Sequence, residues 1–386
     1  MNKKLLAALF VCTLIPWILG NGLLPLLPIY AIQLGASQTM AGYFMSFAFL
    51  SLALGAPIAG WLSDRIQRRK ILITVIGILE VPMVFLASKA TTVLQLALLT
   101  CFSWLLFGMG LALISTIAGI FAEKADRGKI FGLLGTTVGI GALIGGLITG
   151  PLVDRHGYSY MFLVLSVIVL VLPIASLFLK DKVLTRSSIS KLQTSKGNLR
   201  LETALLVLLM AHAIAMVANG FGNMGRSLIM NSLNFSSAGI TSTMIVSGLV
   251  LIPSGFIIGW LSDRMGRKLL ILLSYFAFAI SLLILNWSTL LWHFLVVSGL
   301  MSIAFISNSV GAAMVTDLAD PDRLGLSMSL FQDMFWIGNV AGFAISGLMI
   351  QRFGISRTLL LGILPPSAAI ILLLLVRTRK ATTTPP

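Results

Sequence analysis

The sequence predicts an all-α membrane protein whose twelve transmembrane helices form two pseudo-symmetric six-helix bundles. Three observations carry that expectation. Hydrophobic residues make up 58% of the chain and charged residues only 10%, against about 25% charged in an ordinary soluble domain. So little charge cannot coat a surface that faces water. The apolar residues gather into runs of roughly 20, the length a helix needs to cross about 30 Å of hydrocarbon. The segment Gly60-Trp-Leu-Ser-Asp-Arg-Ile-Gln-Arg-Arg-Lys70 returns as Gly259-Trp-Leu-Ser-Asp-Arg-Met-Gly-Arg-Lys268, 199 residues later in a chain of 386. Two near-copies half a chain apart mark a duplication.

The spans follow in order at 5–34, 38–62, 71–88, 94–120, 130–152 and 159–179, then 203–233, 238–261, 269–286, 290–316, 325–350 and 357–376. The first opens after Met-Asn-Lys-Lys and is too long for a signal-peptide core, with no small-residue cleavage site after it, so it is expected to be retained. Residues 1–180 are read as the first bundle and 203–380 as the second. Between them, 181–202 is rich in Ser, Thr, Lys and Arg and reads as a cytoplasmic linker, with 381–386 as a disordered tail. Outside the repeated loop, Leu34-Gly-Ala-Ser37 matches Leu233-Asn-Phe-Ser236, and His156-Gly157 answers Phe353-Gly354. Cys12 and Cys101 both fall inside spans and read as small apolar residues.

A net charge of +15 would suggest nucleic acid in a soluble protein, but its placement excludes that partner here. With a cytoplasmic amino terminus, only Lys89, Arg155, Arg226, Arg352 and Arg357 fall outside, leaving the other 22 of the 27 Lys and Arg residues inside. This positive-inside bias predicts that both termini are cytoplasmic. The lean outer loops suit a bacterial inner membrane, and the bilayer is the expected environment of a monomer.

The repeated segment resembles the loop between the second and third helices of the major facilitator superfamily, Gly-x-Leu-x-Asp-Arg-x-Gly-Arg-Arg/Lys. The second copy fits fully, and the first has Gln67 in place of Gly. The resemblance covers nearly the whole chain and implies a secondary transporter working by alternating access, the two halves rocking around a central site for a small molecule. It requires no cofactor and implies a proton gradient as the energy source. In the loop, Gly60 and Gly259 would let a neighbouring helix approach, and Asp64 and Asp263 would accept from helix-terminal N–H groups and pair with Arg68 or Arg267. Arg65 and Arg264 complete the charged pair of loops, and Glu123 and Asp126 are candidate partners for the arginines. Such a latch would hold the cytoplasmic side closed; the alternative is that these charges only set topology.

The fifth span carries three small-xxx-small pairs, Gly135/Gly139, Gly141/Gly145 and Gly146/Gly150, which favour close helix packing. It resembles the antiporter signature of the drug-exporting branch, although Gly141-Ala-Leu-Ile-Gly-Gly146 lacks its proline. Pro25 and Pro28 are similar to a proline pair in that branch's first helix. Trp104 stands where many proton-driven exporters of the family carry a buried arginine.

Ionisable groups inside the membrane are costly and therefore suspect. Asp333 in the eleventh span and Glu80 in the third are candidates to carry a proton, with pairing to Arg65 or Arg68 as the alternative for Asp333 and a structural contact for Glu80. His212 in the seventh span is a third candidate, set against the reading of a packed polar residue. His156, His212 and His293 have no metal-ligand spacing.

In the family's fold the first, fourth, seventh and tenth helices line the cavity, which makes Asn21, Trp104, Asn219, Asn223 and Asn308 candidate substrate residues. The sequence shows no cluster of buried Arg or Lys for an anionic substrate, so the solute is expected to be neutral or cationic and partly apolar. Export of a drug or metabolite in exchange for protons is the leading expectation, and uptake of a sugar or other nutrient the alternative. A membrane-embedded enzyme or a channel is the remote one, since there is no Gly-x-Ser-x-Gly, His-Glu-x-x-His or phosphate-loop motif.

Overall fold

The computed structural model describes residues 2–123, 126–181, 203–320 and 323–375. The expected linker from 182 onward and the tail at 381–386 lie outside the described residues.

The first span is Lys3–Leu23, continued after a short turn as Leu27–Gln33, with Pro28 at the start of the second piece. Proline suits a first helical turn because its missing N–H would be unpaired there anyway. The second to fourth spans are Gln38–Ile66, Arg69–Ala87 and Val93–Phe121. The fifth and sixth form one unbroken apolar stretch of 49 residues, Gly128–Ser176. A straight helix of that length would reach about 70 Å, over twice the hydrocarbon thickness. It is divided by Gly157, whose φ of 80° and ψ of 174° no helix contains. The seventh to eleventh spans are Thr203–Ser232, Ser237–Met265, Arg267–Asn286, Leu291–Leu318 and Leu324–Phe353. The twelfth is Ile355–Leu361 followed by Leu364–Leu375.

The duplication is written into the turns. Every positive-φ residue described falls into one of three pairs: Gly35 with Asn234, Gln67 with Gly266, and Gly157 with Gly354. The last two match closely, Gly354 having φ 80° and ψ 167°. Ser37 and Ser236 cap the second and eighth spans alike, accepting from Met40 N at 3.2 Å and Gly239 N at 3.1 Å. A side-chain oxygen there satisfies one of the N–H groups that a helix start leaves unpaired.

Large apolar side chains cover the outside of the bundle, among them Phe47, Ile78, Leu98, Ile174, Met210, Phe276 and Ile371. Such a continuous apolar coat belongs in lipid. Trp287 and Trp292 are exposed at one end, where aromatic rings mark the border between lipid and water.

The halves meet along two seams, the second span against the eleventh and the fifth against the eighth. Glycine makes both seams close. A Cβ added to Gly42 would lie 2.7 Å from Gly347 Cα, and one added to Gly139 2.8 Å from Ile252 N. The seams are tight at the end away from the Asp64 loop. There Gln351 Oε1 accepts from Thr39 N at 3.0 Å, and Asp154 accepts from Ser237 N at 2.7 Å and Ala238 N at 2.8 Å. At the loop end the helices part: nothing lies within 4 Å of a Cβ built on Gly60, Gly128, Gly132, Gly135 or Gly325. The bundle is sealed at one end and open at the other.

Candidate substrate cavity

Between the halves lies a cavity of about 120 Å³. Trp17 and Asn21 of the first span, Trp104 of the fourth, Asn219, Asn223 and Arg226 of the seventh, Phe305 of the tenth and Trp336 of the eleventh all reach it. It continues towards the loop end into a space of about 430 Å³ that adds Ser115, Asn308 and Gln332 and shares Trp17, Phe305 and Trp336. Four of the five residues read as substrate candidates therefore line one chamber, and Asn308 lines its extension. Aromatic side chains make up a third of the wall. Phe49 stacks on Phe343 at 5.0 Å and meets Trp104 edge-on at 4.8 Å, and Trp17 stands edge-on to Phe107 at 5.1 Å. Interlocked rings give a stiff apolar surface suited to an apolar or flat solute.

One side of the wall is polar. Asn219, Asn223 and Arg226 recur at a spacing of four and three, which places them on one face of the seventh span. Arg226 donates from one terminal nitrogen to Asn223 Oδ1 at 2.9 Å and from the other to Ser298 Oγ at 3.0 Å. Asn223 Nδ2 donates to Asn219 Oδ1 at 2.9 Å, and Asn219 Nδ2 to Asn339 Oδ1 at 2.7 Å. Ser298 hands the chain on to Thr243 O and Ser247. Arg226 is 1% exposed. The placement of this residue outside the membrane is thereby corrected: its helix runs on to Ser232, so it stands inside the bundle. The sequence showed no cluster of buried Arg or Lys, and the wall holds this one arginine. The family's cavity-lining helices pointed to the two asparagines, and three residues further along the same helix face stands Arg226.

The proton candidates are dispersed. Glu80 is buried in the first half against a small separate apolar cavity, where Ser103 Oγ donates to its Oε1 and Oε2 has no partner. His212 stacks on Phe331 at 4.2 Å, with Nδ1 3.3 Å from the Tyr275 hydroxyl. Asp333 points away from the cavity. It shares the exposed flank of its helix with Leu326 and Ile337, while Gln332 and Trp336 face inward.

Among the described residues, the first charged loop is not latched in this arrangement. Asp64 is exposed and makes no hydrogen bond or ion pair among the described residues, and Gly60 has open space around it, contrary to the expected close approach. The open loop end keeps the first copy away from the other half. Arg65 lies over the Trp61 ring at 4.2 Å, and Arg68 is exposed. Glu123 is exposed, and Asp126 pairs with Lys129 at 3.7 Å instead of an arginine of the loops. In the second copy Arg267 pairs with Asp317 at 2.6 Å and donates to Ala313 O, tying it to the tenth span of its own half. Arg264 is exposed, and the surroundings of Gly259 and Asp263 lie outside the described residues.

The glycines of the fifth span divide by face. Gly139, Gly146 and Gly150 meet the eighth span, Gly141 and Gly145 meet the first, and Gly135 borders the cavity with no neighbour that a Cβ would touch. The sealed end has a device that sequence reasoning missed. Asp154 caps the start of the eighth span, and Gln351, its counterpart 197 residues on, caps the start of the second. The matching 197-residue spacing of Gly157 and Gly354 was the signal that would have found them.

Comparison with known proteins places this architecture. The sequence profile of the Major Facilitator Superfamily matches residues 9–225 and again 207–386. Multidrug resistance protein MdtG of Citrobacter koseri is 29% identical over 264 residues, an alignment covering 64% of this chain and 64% of that protein. The Staphyloferrin B transporter of Staphylococcus aureus is 31% identical over 181 residues, covering 46% of this chain and 42% of the relative. The chain thus spans somewhat under two thirds of the first of these relatives. Among solved structures, the nucleoside transporter NupG superposes with a TM-score of 0.76 at 15% identity, covering 97% of this chain and 98% of the other. A profile that matches twice along the chain agrees with the paired turns and the cavity between the halves, and the chain belongs to the Major Facilitator Superfamily.

Proposed function

We propose that this transporter exports a partly apolar small molecule in exchange for protons, by alternating access, across a bacterial inner membrane. The observation that carries the reading is the cavity between the halves, sealed at the Asp154 end and open at the Asp64 end. A continuous pore would be open at both. With the basic loop end in the cytoplasm, as the positive-inside bias expects, the arrangement is the inward-facing one, ready to load from inside. The relatives named for multidrug resistance support export, and the aromatic wall supports an amphipathic solute. Of the neutral or cationic solute expected from the sequence, the cationic part loses its ground. Arg226 in the wall repels positive charge, and no Asp or Glu among the described residues lines the cavity.

Proton exchange requires a group that binds and releases a proton, and Glu80, Asp333 and His212 are the candidates. The test is counterflow in proteoliposomes under an imposed pH gradient, with amphipathic dyes and sugars as competing solutes. Saturable, gradient-dependent dye movement is expected. Sugar movement would favour uptake of a nutrient, and unsaturable conduction would rule out alternating access. In the same assay Asp333→Asn at full gradient-driven rate removes Asp333 from the coupling path, and Glu80→Gln is read likewise.

A further inference from the structure

We infer that Arg226 anchors an anionic group, a carboxylate or similar oxyanion, on a small molecule whose apolar body lies against the aromatic wall. The inference rests on the transport reading and names the substrate class of the same cavity. A guanidinium carries five N–H donors and stays charged. Arg226 spends two of them, on Asn223 and Ser298, and its Nε has no partner. No carboxylate among the described residues pairs with it, its side-chain partners being Asn223 and Ser298. Burying such a charge with no counter-charge is expensive, so the site is incomplete as it stands.

The neighbours hold the guanidinium without neutralising it. Asn223 Oδ1 accepts from Arg226, Asn219 Oδ1 from Asn223, and Asn339 Oδ1 from Asn219, while the Ser298 hydroxyl donates onward to Thr243 O. Their role is to position a planar fork whose remaining donors match the two oxygens of a carboxylate. Arg226 also lines the same chamber as Trp104, Phe305 and Trp336, so an anionic end and a flat apolar body would be bound together. A purely structural arginine tying the seventh span to the tenth would make the same two hydrogen bonds but confer no preference for the charge of a bound molecule.

The test uses the purified full chain in neutral detergent and three probes of one shape: 2-naphthylacetate, 2-naphthylacetamide and 2-naphthylethylammonium. Binding is read by quenching of tryptophan fluorescence, since Trp17, Trp104 and Trp336 line the cavity. The carboxylate is expected to bind about tenfold more tightly than the amide, the scale of a charge-assisted hydrogen bond, and the ammonium least. Arg226→Gln should bring the carboxylate and the amide within about twofold of each other, and Arg226→Lys should keep part of the preference. Equal binding of the three by the parent protein, no binding of the carboxylate, or an unchanged preference in Arg226→Gln overturns the proposal. If Arg226→Gln fails to fold, the parent series decides alone. Chloride exchanged for gluconate separates a small inorganic anion from an organic one: chloride as effective as the naphthylacetate would overturn the organic class. Binding needs no gradient, so carboxylate preference without counterflow would sink the transport reading alone. Counterflow that ignores charge would sink this one alone.

Discussion

Gln67 ends the second span with a φ of 53°, where its counterpart Gly266 has 83°. A side chain in the left-handed region costs about 1–2 kcal/mol, and glycine gives back part of that gain as chain entropy in the unfolded state. Gln67→Gly is therefore expected to stabilise the protein by about 0.5–1 kcal/mol, seen as a higher melting temperature in detergent. Gly266→Gln, at a ψ of 139° that side chains avoid, should cost about 1–3 kcal/mol. A fall on the first substitution would show that Gln67 is held by contacts that outweigh its backbone. These turns were legible because the repeat aligns Leu34-Gly-Ala-Ser37 with Leu233-Asn-Phe-Ser236 and the two loops with each other. The aim of single side chains was not. One step along a helix turns a side chain by about 100°, so Gln332 faces the cavity while Asp333 beside it faces out. Arg226 was misplaced for a related reason. Six residues short of its helix end, it reads from charge alone as a loop residue, and only the packing of the tenth span against it makes it a cavity residue.

Helices in lipid gain little from hydrophobicity and associate by close packing, which makes the fifth span informative. Its glycines read in the sequence as pairs four apart. The structure keeps two of these pairs on one face each, Gly141/Gly145 towards the first span and Gly146/Gly150 towards the eighth, and splits the third, Gly139 meeting the eighth span and Gly135 nothing. The residue type was legible, but the partner was not, because two helices flank this one and the repeat does not say which face each takes. The same substitution should thus be costly at one site and nearly neutral at another one turn away. Gly139→Val brings a branched side chain against Ile252 N, 2.8 Å from the Cβ position, and overpacking of this kind costs about 1–3 kcal/mol. Gly135→Val meets nothing within 4 Å and should stay within about 0.5 kcal/mol of the parent. Thermal melting of the two variants side by side checks the assignment, and equal losses would mean that the fifth and eighth spans do not meet as described.

Across the whole molecule, the two ends are held by unlike means. The repeated loop, Gly60–Lys70 and its copy, is the loudest feature of the sequence, yet Asp64 is idle while Asp154 and Gln351 hold the opposite end. The proposed alternating access would account for the asymmetry: a latch at the loop end would have work only when that end closes, and the caps at the other end would then release. If each half moves as a body, the two events are one equilibrium. Loss of a cap costs about 1 kcal/mol, enough to shift a two-state equilibrium about fivefold. Asp154→Ala should therefore do two things at once. It should speed labelling of a single cysteine at Ser46, which lies on the seam of the second and eleventh spans, by an impermeant maleimide added at the sealed end. It should also shorten the distance between spin labels at Gly128 and Gly325, which stand on opposite halves at the open end with free space around them. Adding Asp64→Asn should reverse both changes, since it weakens only the state in which the loop end is closed. Faster labelling at Ser46 with an unchanged distance between Gly128 and Gly325 would mean that the ends open independently, and the rocking of two six-helix bodies would have to be abandoned.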